Sequence, residues 1–275
     1  MAITFDKLKV NARIFEELKK NPSWWVKFKN NPSLYIDIRK DNQVNVYFEG
    51  GSIARIHYCS KHNKLQVFTH HKYLGEPAPS RNNLYVECSD RIENICDDVM
   101  ERIQTLYSQK KAEEGINAKE KWSEKFIQGM LVINSRTVHL DTEFAYNDAQ
   151  DDIRIDLIQC RKGSLTFIEL KRMDDNRMLH ATDNNPEVVY QMQGYKDFIA
   201  RYRSELLEYY KKVFDIKVQL GLPVPDSAPV SINPIPELII FDRWVKPTSQ
   251  REIHRQRVRE LLERNGIQYK VITSL

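Results

Sequence analysis

Between Leu34 and His70 apolar and polar residues alternate in four short runs, Leu34–Arg39, Val44–Glu49, Ser52–Tyr58 and Lys64–His70. A period of two marks strands with one buried face, and the short links Lys40–Gln43, Gly50-Gly51 and Ser60–Asn63 predict an antiparallel meander. Ahead of it lie a helical pattern, Phe15–Lys20, and an aromatic cluster at Trp24, Trp25 and Phe28, with breaks at Asn21-Pro22 and Asn31-Pro32. Residues 76–83, with two prolines, read as a boundary loop. The period then becomes helical. From Ser89 onward Ile92, Ile95, Cys96, Val99, Ile103 and Leu106 share one face of a long amphipathic helix. A charged segment, Lys110–Glu120, follows and is expected to break at Gly115. A second helix, Glu120–Leu131, is expected to bury Trp122, Phe126 and Met130.

In the second half, Asp151–Cys160 and Leu165–Arg172 are rich in β-branched and aromatic residues and flank a four-residue link containing Gly163, a hairpin signal. A helix is predicted from Pro186 to Tyr202, with Asn185 as N-cap, Pro186 at the first helical position and Glu187 at the positive end of the dipole. Asp215–Leu220 and Glu237–Phe241 read as further strands. Five prolines between Gly221 and Pro236 imply a stiff surface excursion. Ser249-x-x-Glu252 predicts a capping box for a helix that stops before Gly266, and Ile267–Thr273 a last strand. The pattern implies an α/β fold with a mixed sheet, residues 86–275, preceded by a β-rich accessory domain, residues 1–85.

The chemistry concentrates on the predicted hairpin. Glu169 and Lys171 project from the same side of a strand, while Ile168 and Leu170 point oppositely; an antiparallel partner can bring Asp156 alongside. Two carboxylates and an ammonium would then converge at the end of an apolar strand pair, an arrangement able to hold a divalent metal and activate a water. Glu-x-Lys alone carries little weight. Glu17-Leu18-Lys19 repeats it within a helical pattern with no acidic strand before it. On the following helix Gln191 and Tyr195, four residues apart, share one face.

Asp156, Glu169-x-Lys171 and Gln191-x-x-x-Tyr195, in this order, resemble the PD-(D/E)xK nuclease superfamily, in particular its RecB-like branch. The resemblance covers roughly residues 120–202; Ile155 stands where the family's nominal proline would be. It implies a restriction-endonuclease-like central mixed sheet flanked by helices, and hydrolysis of phosphodiester bonds with Mg²⁺, for which Mn²⁺ substitutes. It further implies Asp156, Glu169 and the Leu170 carbonyl as metal ligands, with Glu143 as the first acidic residue, bound directly or through water. Lys171 would orient or deprotonate the attacking water. Gln191 and Tyr195 would brace the site or contact the nucleic-acid backbone. Glu124 is an accessory carboxylate on this scheme, although a solvated surface position is the preferred reading. DNA is the expected substrate, in repair, recombination or defence. A non-catalytic nucleic-acid-binding or assembly module that retains the fold is the alternative.

Composition narrows the context. A charged fraction of 29% and an apolar fraction of 41% are ordinary for a globular chain, and a net charge of +4 permits nucleic-acid binding without demanding it. Four scattered cysteines argue against a disulfide framework or zinc site. The start of the chain lacks a secretion signal and no run reaches membrane-spanning length, so a cytoplasmic protein with no membrane partner is expected. A homodimer or larger complex through the N-terminal domain would fit. Candidate phosphate contacts are Arg161, Lys162, Arg172, Arg177 and Lys196. Arg251, Arg255 and Arg259 form a stripe for which a solvated face is the preferred reading. Trp24, Trp25, Tyr35 and Tyr47 could stack on bases, though a core role is favoured. His70, His71 and His139 have no metal-like companions at suitable spacing.

Overall fold

The computed structural model describes residues 4–108, 122–148, 151–179 and 186–275. It is a mixed α/β architecture with two sheets flanked by helices. The first sheet is antiparallel and runs β1 (Leu34–Arg39), β2 (Gln43–Phe48), β3 (Gly51–Cys59), β4 (Lys64–His70) and β5 (Tyr85–Glu87) in chain order. The meander follows the alternation in sequence within a residue or two. Its apolar face packs on α1 (Arg13–Lys19), α2 (Ser23–Asn30) and α4 (Ile92–Ser108), burying Phe15, Trp25, Phe28, Val99 and Ile103 completely or nearly so. A one-turn helix, α3 (His71–Leu74), leads into the loop before β5. Leu106 departs from the expected buried stripe and is exposed. Charged segment 110–120 and its break at Gly115 lie outside the described residues.

The second sheet has the order β11-β10-β8-β7-β6. Strands β6 (His139–Asn147), β7 (Asp152–Arg161) and β8 (Ser164–Arg172) are antiparallel neighbours, whereas β10 (Glu237–Phe241) and β11 (Tyr269–Ile272) add in parallel. The hairpin link is tighter than expected. Arg161 pairs with Ser164, leaving only Lys162 and Gly163 in the turn, both with positive φ (49° and 75°), as a primed two-residue turn requires.

Helix α5 (Glu124–Asn134) covers one face of this sheet. It buries Ile127, Gln128, Gly129 and Val132, and leaves Trp122, Phe126 and Met130 only partly covered, a rotation from the expected face. The other face is covered by α6 (Glu187–Arg201), α7 (Arg203–Leu220) and α8 (Ser249–Arg264), through Phe198, Tyr210, Val213, Val258 and Leu262. Residues 215–220, expected as a strand, are the last turns of α7. Val213, Ile216, Lys217 and Leu220 recur at helical spacing on its buried side, and that longer period decides the element. The proline-rich excursion is not idle surface either: Ser231–Ile232 form a short strand, β9, parallel to β8. Pro186 is the N-cap of α6 rather than its first residue, and Asn185 lies outside the described residues. For α8 the cap is Thr248, whose hydroxyl accepts the Arg251 N–H, one position earlier than the predicted box.

The two sheets share one continuous cluster of buried side chains. Phe5, in a short 3-10 turn (Thr4–Lys7), stacks on Tyr146 of β6 with ring centroids 5.3 Å apart. A buried ionic network also crosses the junction. Arg39 of β1 donates to Asp141 of β6 at 2.9 Å, Asp37 lies 3.6 Å from Lys217 of α7, and the Tyr210 hydroxyl donates to Asp141 at 3.2 Å. The turn Glu49-Gly50 presses against α5 at Gly129; a Cβ on Gly129 would collide with the Gly50 backbone, so only glycine allows this approach. Among the described residues no helix is long and apolar enough to cross a membrane.

Candidate active site

Strands β7 and β8 pair from the turn as far as Leu157 and Ile168; beyond that point the recorded pairing of β7 is to β6 alone. The sheet forks there, and the fork frees backbone groups of β8 that would otherwise bond to β7. The side chain of Asp156 takes over one of them: its Oδ2 accepts the Leu170 N–H at 2.8 Å. On the other side Gln128, buried on α5, donates to the Asp156 carbonyl at 2.7 Å and pins the backbone where the strands part.

Glu169 sits in this fork. It is 2% exposed, and its Oε1 accepts from Lys171 Nζ and, at 2.8 Å, from Gln191 Nε2. Its Oε2 lies 2.9 Å from the Tyr195 hydroxyl, which also reaches the Arg154 carbonyl and accepts from Gln191 Nε2 at 2.6 Å. Gln191 and Tyr195 are thus brought together on one side of α6, as their spacing requires. The Gln191 Oε1 is buried without a hydrogen-bond partner. Lys171, 1% exposed, is among the largest fully buried side chains of the molecule, and an ammonium persists at such a position only beside a carboxylate.

Burial, followed by the charge of Glu169, pushes the Asp156 carboxyl up to about 7. Burial raises Glu169 as well, against the opposing pull of Lys171 and of the Tyr195 hydroxyl. A third carboxylate belongs to the same field. Glu124, at the start of α5, is raised by burial; Lys171 and Arg177 pull it down while Asp156 and Asp175 push it up. Its side chain is 32% exposed and lies 3.7 Å from Arg177, so it stands at the rim of the cluster, partly solvated as the sequence reading preferred. The signal that could have found it is the Ser123 cap, whose hydroxyl accepts the Phe126 N–H and places Glu124 at the first turn of the helix.

Glu143 is positioned differently. Its flanking residues pair with Leu157 and Ile155, so its backbone lies opposite Asp156, and its φ is 47°. Its carboxylate, however, is 38% exposed and 3.4 Å from Lys125. Among the described residues no three His, Cys, Asp or Glu side chains are gathered closely enough to form a ready metal-holding group.

The basic candidates are mostly engaged. Arg172 lies 3.4 Å from Asp174, and Arg177 makes a two-pronged pair with Asp175. Burial pushes the Asp175 carboxyl up, but the Arg177 guanidinium more than offsets it and the net shift is downward. Lys196 is exposed on α6. Arg161 and Lys162 stand at the hairpin turn, five and six residues along the chain from Asp156 and roughly 17–20 Å away by strand rise. On α8, Arg255 binds Asp242 at 2.6 Å, and both Arg251 and Arg255 lie over the Trp244 ring at 5.4 and 5.5 Å, so two members of the stripe are structural contacts. Trp25, Tyr35 and Tyr47 are core residues and Trp24 is half-buried. His139 is a core histidine, and His70 stacks on His71 at 4.8 Å. The four cysteines are free.

Comparison with protein-family models, with curated proteins and with solved structures found no match to this chain.

Proposed function

We propose that the protein is a divalent-metal-dependent nuclease of the PD-(D/E)xK kind, with a restriction-endonuclease-like second sheet, acting on nucleic acid and most directly on DNA. The observation that carries this reading is the convergence of Asp156, Glu169, Lys171, Gln191 and Tyr195 in one buried cluster at the strand fork. Residues from two strands and a separate helix meet there, and the contacts of Asp156 with Leu170 and of Gln191 and Tyr195 with Glu169 are not required by chain proximity.

The donor set fits a hard cation. Asp156, Glu169 and Glu124 supply carboxylate oxygens whose pKa values are raised, chiefly by burial, so a bound cation would favour their ionised forms. Mg²⁺ or Mn²⁺ prefers such oxygen ligands, and when bound it would supply a water of lowered pKa and neutralise charge on the phosphoryl oxygens. Asp156 and Glu169 are the ligands of choice, with the Leu170 carbonyl as a third; Glu124 and Glu143, each partly exposed and paired with a cation, are the further candidates. Lys171 balances the charge of Glu169 and would hold the attacking water in line. Gln191 and Tyr195 fix the Glu169 carboxylate by bonding to both of its oxygens, so that its orientation is set before a substrate arrives.

The test is cleavage of plasmid and single-stranded DNA with Mg²⁺, wild type beside Glu169→Ala. Metal-dependent cleavage by wild type that Glu169→Ala loses is expected. Equal rates in both, or none in wild type with either metal, contradict the reading.

A further inference from the structure

The two faces of the first sheet differ sharply. One is the apolar core. Opposite it, the register sets Asn45 beside Arg55, Tyr47 beside Ser52 and Arg55 beside Phe68. A register shift between Val46 and Tyr47 sends Ile53 and Ala54 both to the core and keeps Ser52 on the polar face. Three buried polar atoms at these adjoining positions, Asn45 Oδ1, Ser52 Oγ and Arg55 Nε, have no hydrogen-bond partner. Only two other side chains among the described residues share that condition. Asn45 is 8% exposed, and its amide nitrogen is already committed to the Tyr47 hydroxyl at 3.1 Å. Unpartnered buried polar atoms are costly, and three side by side call for a common explanation.

Their surroundings specify one. The Arg55 guanidinium lies over the Tyr85 ring at 3.8 Å, His57 meets Phe68 edge-on at 5.4 Å and His70 meets Tyr85 at 5.2 Å. These rings are half-buried, unlike the sealed aromatics of the core. Burial lowers the pKa of both histidines, that of His70 to about 4, so at neutral pH they are uncharged flat rings. Cations stand at the edge. Exposed Lys72 follows β4, and Lys125 projects from α5, next in sequence to Glu124. The Lys72 ammonium lies over the Tyr73 ring at 4.6 Å, whereas Lys125 is paired with Glu143 at 3.4 Å, so Lys72 is the cation left to meet an anion at this edge.

We infer that this face is a docking site for a single-stranded segment of nucleic acid, with a base stacked on the half-buried rings, its polar edge toward Asn45, Ser52 and Arg55, and an adjoining phosphate against Lys72. A nucleobase presents neighbouring donors and acceptors on a flat ring, which matches an amide oxygen, a hydroxyl and a guanidinium N–H set among aromatics. A duplex does not, because its base faces are already stacked. The substrate class rests on the nuclease reading above; helix α5 lies by both sites, since its Lys125 and Gly129 pack on the Glu49-Gly50 turn of this sheet and Glu124 begins the same helix.

The experiment is titration of a labelled oligothymidylate by fluorescence anisotropy in EDTA, where no metal-dependent cleavage intervenes. The full chain is compared with Phe68→Ala, Tyr85→Ala and Lys72→Glu, each checked for an unchanged circular dichroism spectrum. Each ring variant is expected to weaken binding about tenfold or more. Lys72→Glu, an exposed change that spares the fold, is expected to weaken it and to reduce the salt dependence by about one unit of slope. Binding equal to wild type in Lys72→Glu and in any folded ring variant overturns the inference, as does a wild-type chain that binds no oligothymidylate. Failure of Mg²⁺-dependent cleavage would instead remove the active-site reading and leave this titration to stand by itself.

Discussion

Asp156 Oδ2 accepts the Leu170 backbone N–H at 2.8 Å, so a carboxylate occupies the position that a paired strand's carbonyl would fill. This one bond ties the chemistry of the candidate site to the stability of the sheet. Asp156→Ala should therefore do two things: abolish cleavage and leave the buried Leu170 N–H unpaired at a cost of about 1–3 kcal/mol. Asp156→Asn keeps an acceptor and should lose cleavage without that penalty. Urea denaturation of both variants checks the difference, and equal stabilities would contradict the bond's role.

Asp156→Asn also has a pH signature. The folded pKa, raised to about 7 by burial and by Glu169, lies above the ordinary 3.8, so the folded chain holds the proton more tightly than the unfolded chain. The ionised side chain thus costs stability above pH 7, and this cost is relieved as pH falls from about 7 toward 4. Without metal, Asp156→Asn should melt higher than wild type at pH 8, by on the order of 1 kcal/mol, and the gain should vanish near pH 4. Calorimetry at the two pH values decides it; a variant that is less stable at pH 8 would count against the site's electrostatics.

Histidine 139 predicts the opposite slope. Its Nδ1 lies 3.1 Å from the Ser135 carbonyl and its Nε2 2.9 Å from the Gln159 amide nitrogen, so the ring is held neutral, donating at one nitrogen and accepting at the other. Burial pushes its pKa down to about 4, below the ordinary 6.5. Its stabilising contribution is complete above about pH 6.5 and is lost as pH falls toward 4. His139→Gln should remove up to about 3 kcal/mol of this dependence. A stability–pH profile from 7 to 4 that is the same for variant and wild type would refute it.

At the junction of the sheets, Arg39 is surrounded by Asp37 and Asp141, with Lys217 beyond them. Arg39→Met leaves two buried carboxylates with one ammonium, and should cost about 3–5 kcal/mol. Gly129→Ala drives a methyl group into the Gly50 backbone and should destabilise the same junction by a different route. Thermal melting of each single variant measures both; an unchanged Tm for either would mean that its contact does not hold the junction together.

Much of this was legible in the sequence because it depends on local period. The β1–β4 meander, the hairpin and the Gln191–Tyr195 face all follow from spacing that short-range sterics enforce. Misreadings arise where tertiary packing decides. Residues 215–220 alternate plausibly as a strand, but Val213, Ile216 and Leu220 bury one side of a helix. Glu124 reads as a surface acid and is 32% exposed, yet its carboxyl feels the charges of Lys171 and Asp156 from the fork of β7 and β8. Glu143 holds the expected backbone register, yet its left-handed φ accompanies a side chain directed to Lys125. The orphan atoms of Asn45, Ser52 and Arg55 could not be read at all, since their adjacency comes from strand register and a bulge.

Lys171 separates binding from chemistry. Its ammonium contacts Glu169 and is not among the oxygen donors, so Lys171→Met should retain most of the Mn²⁺-induced rise in Tm while cleavage falls by at least a hundredfold. A variant that still cuts at the wild-type rate would dismiss Lys171 from the mechanism.

The most direct measurement is anomalous diffraction at the manganese edge from crystals soaked in Mn²⁺. A peak within coordination distance of both Asp156 and Glu169, absent in Glu169→Ala, is the predicted result. A fully soaked crystal with no density between those two carboxylates, and with Lys171 still clasping Glu169, would contradict a metal-dependent hydrolase.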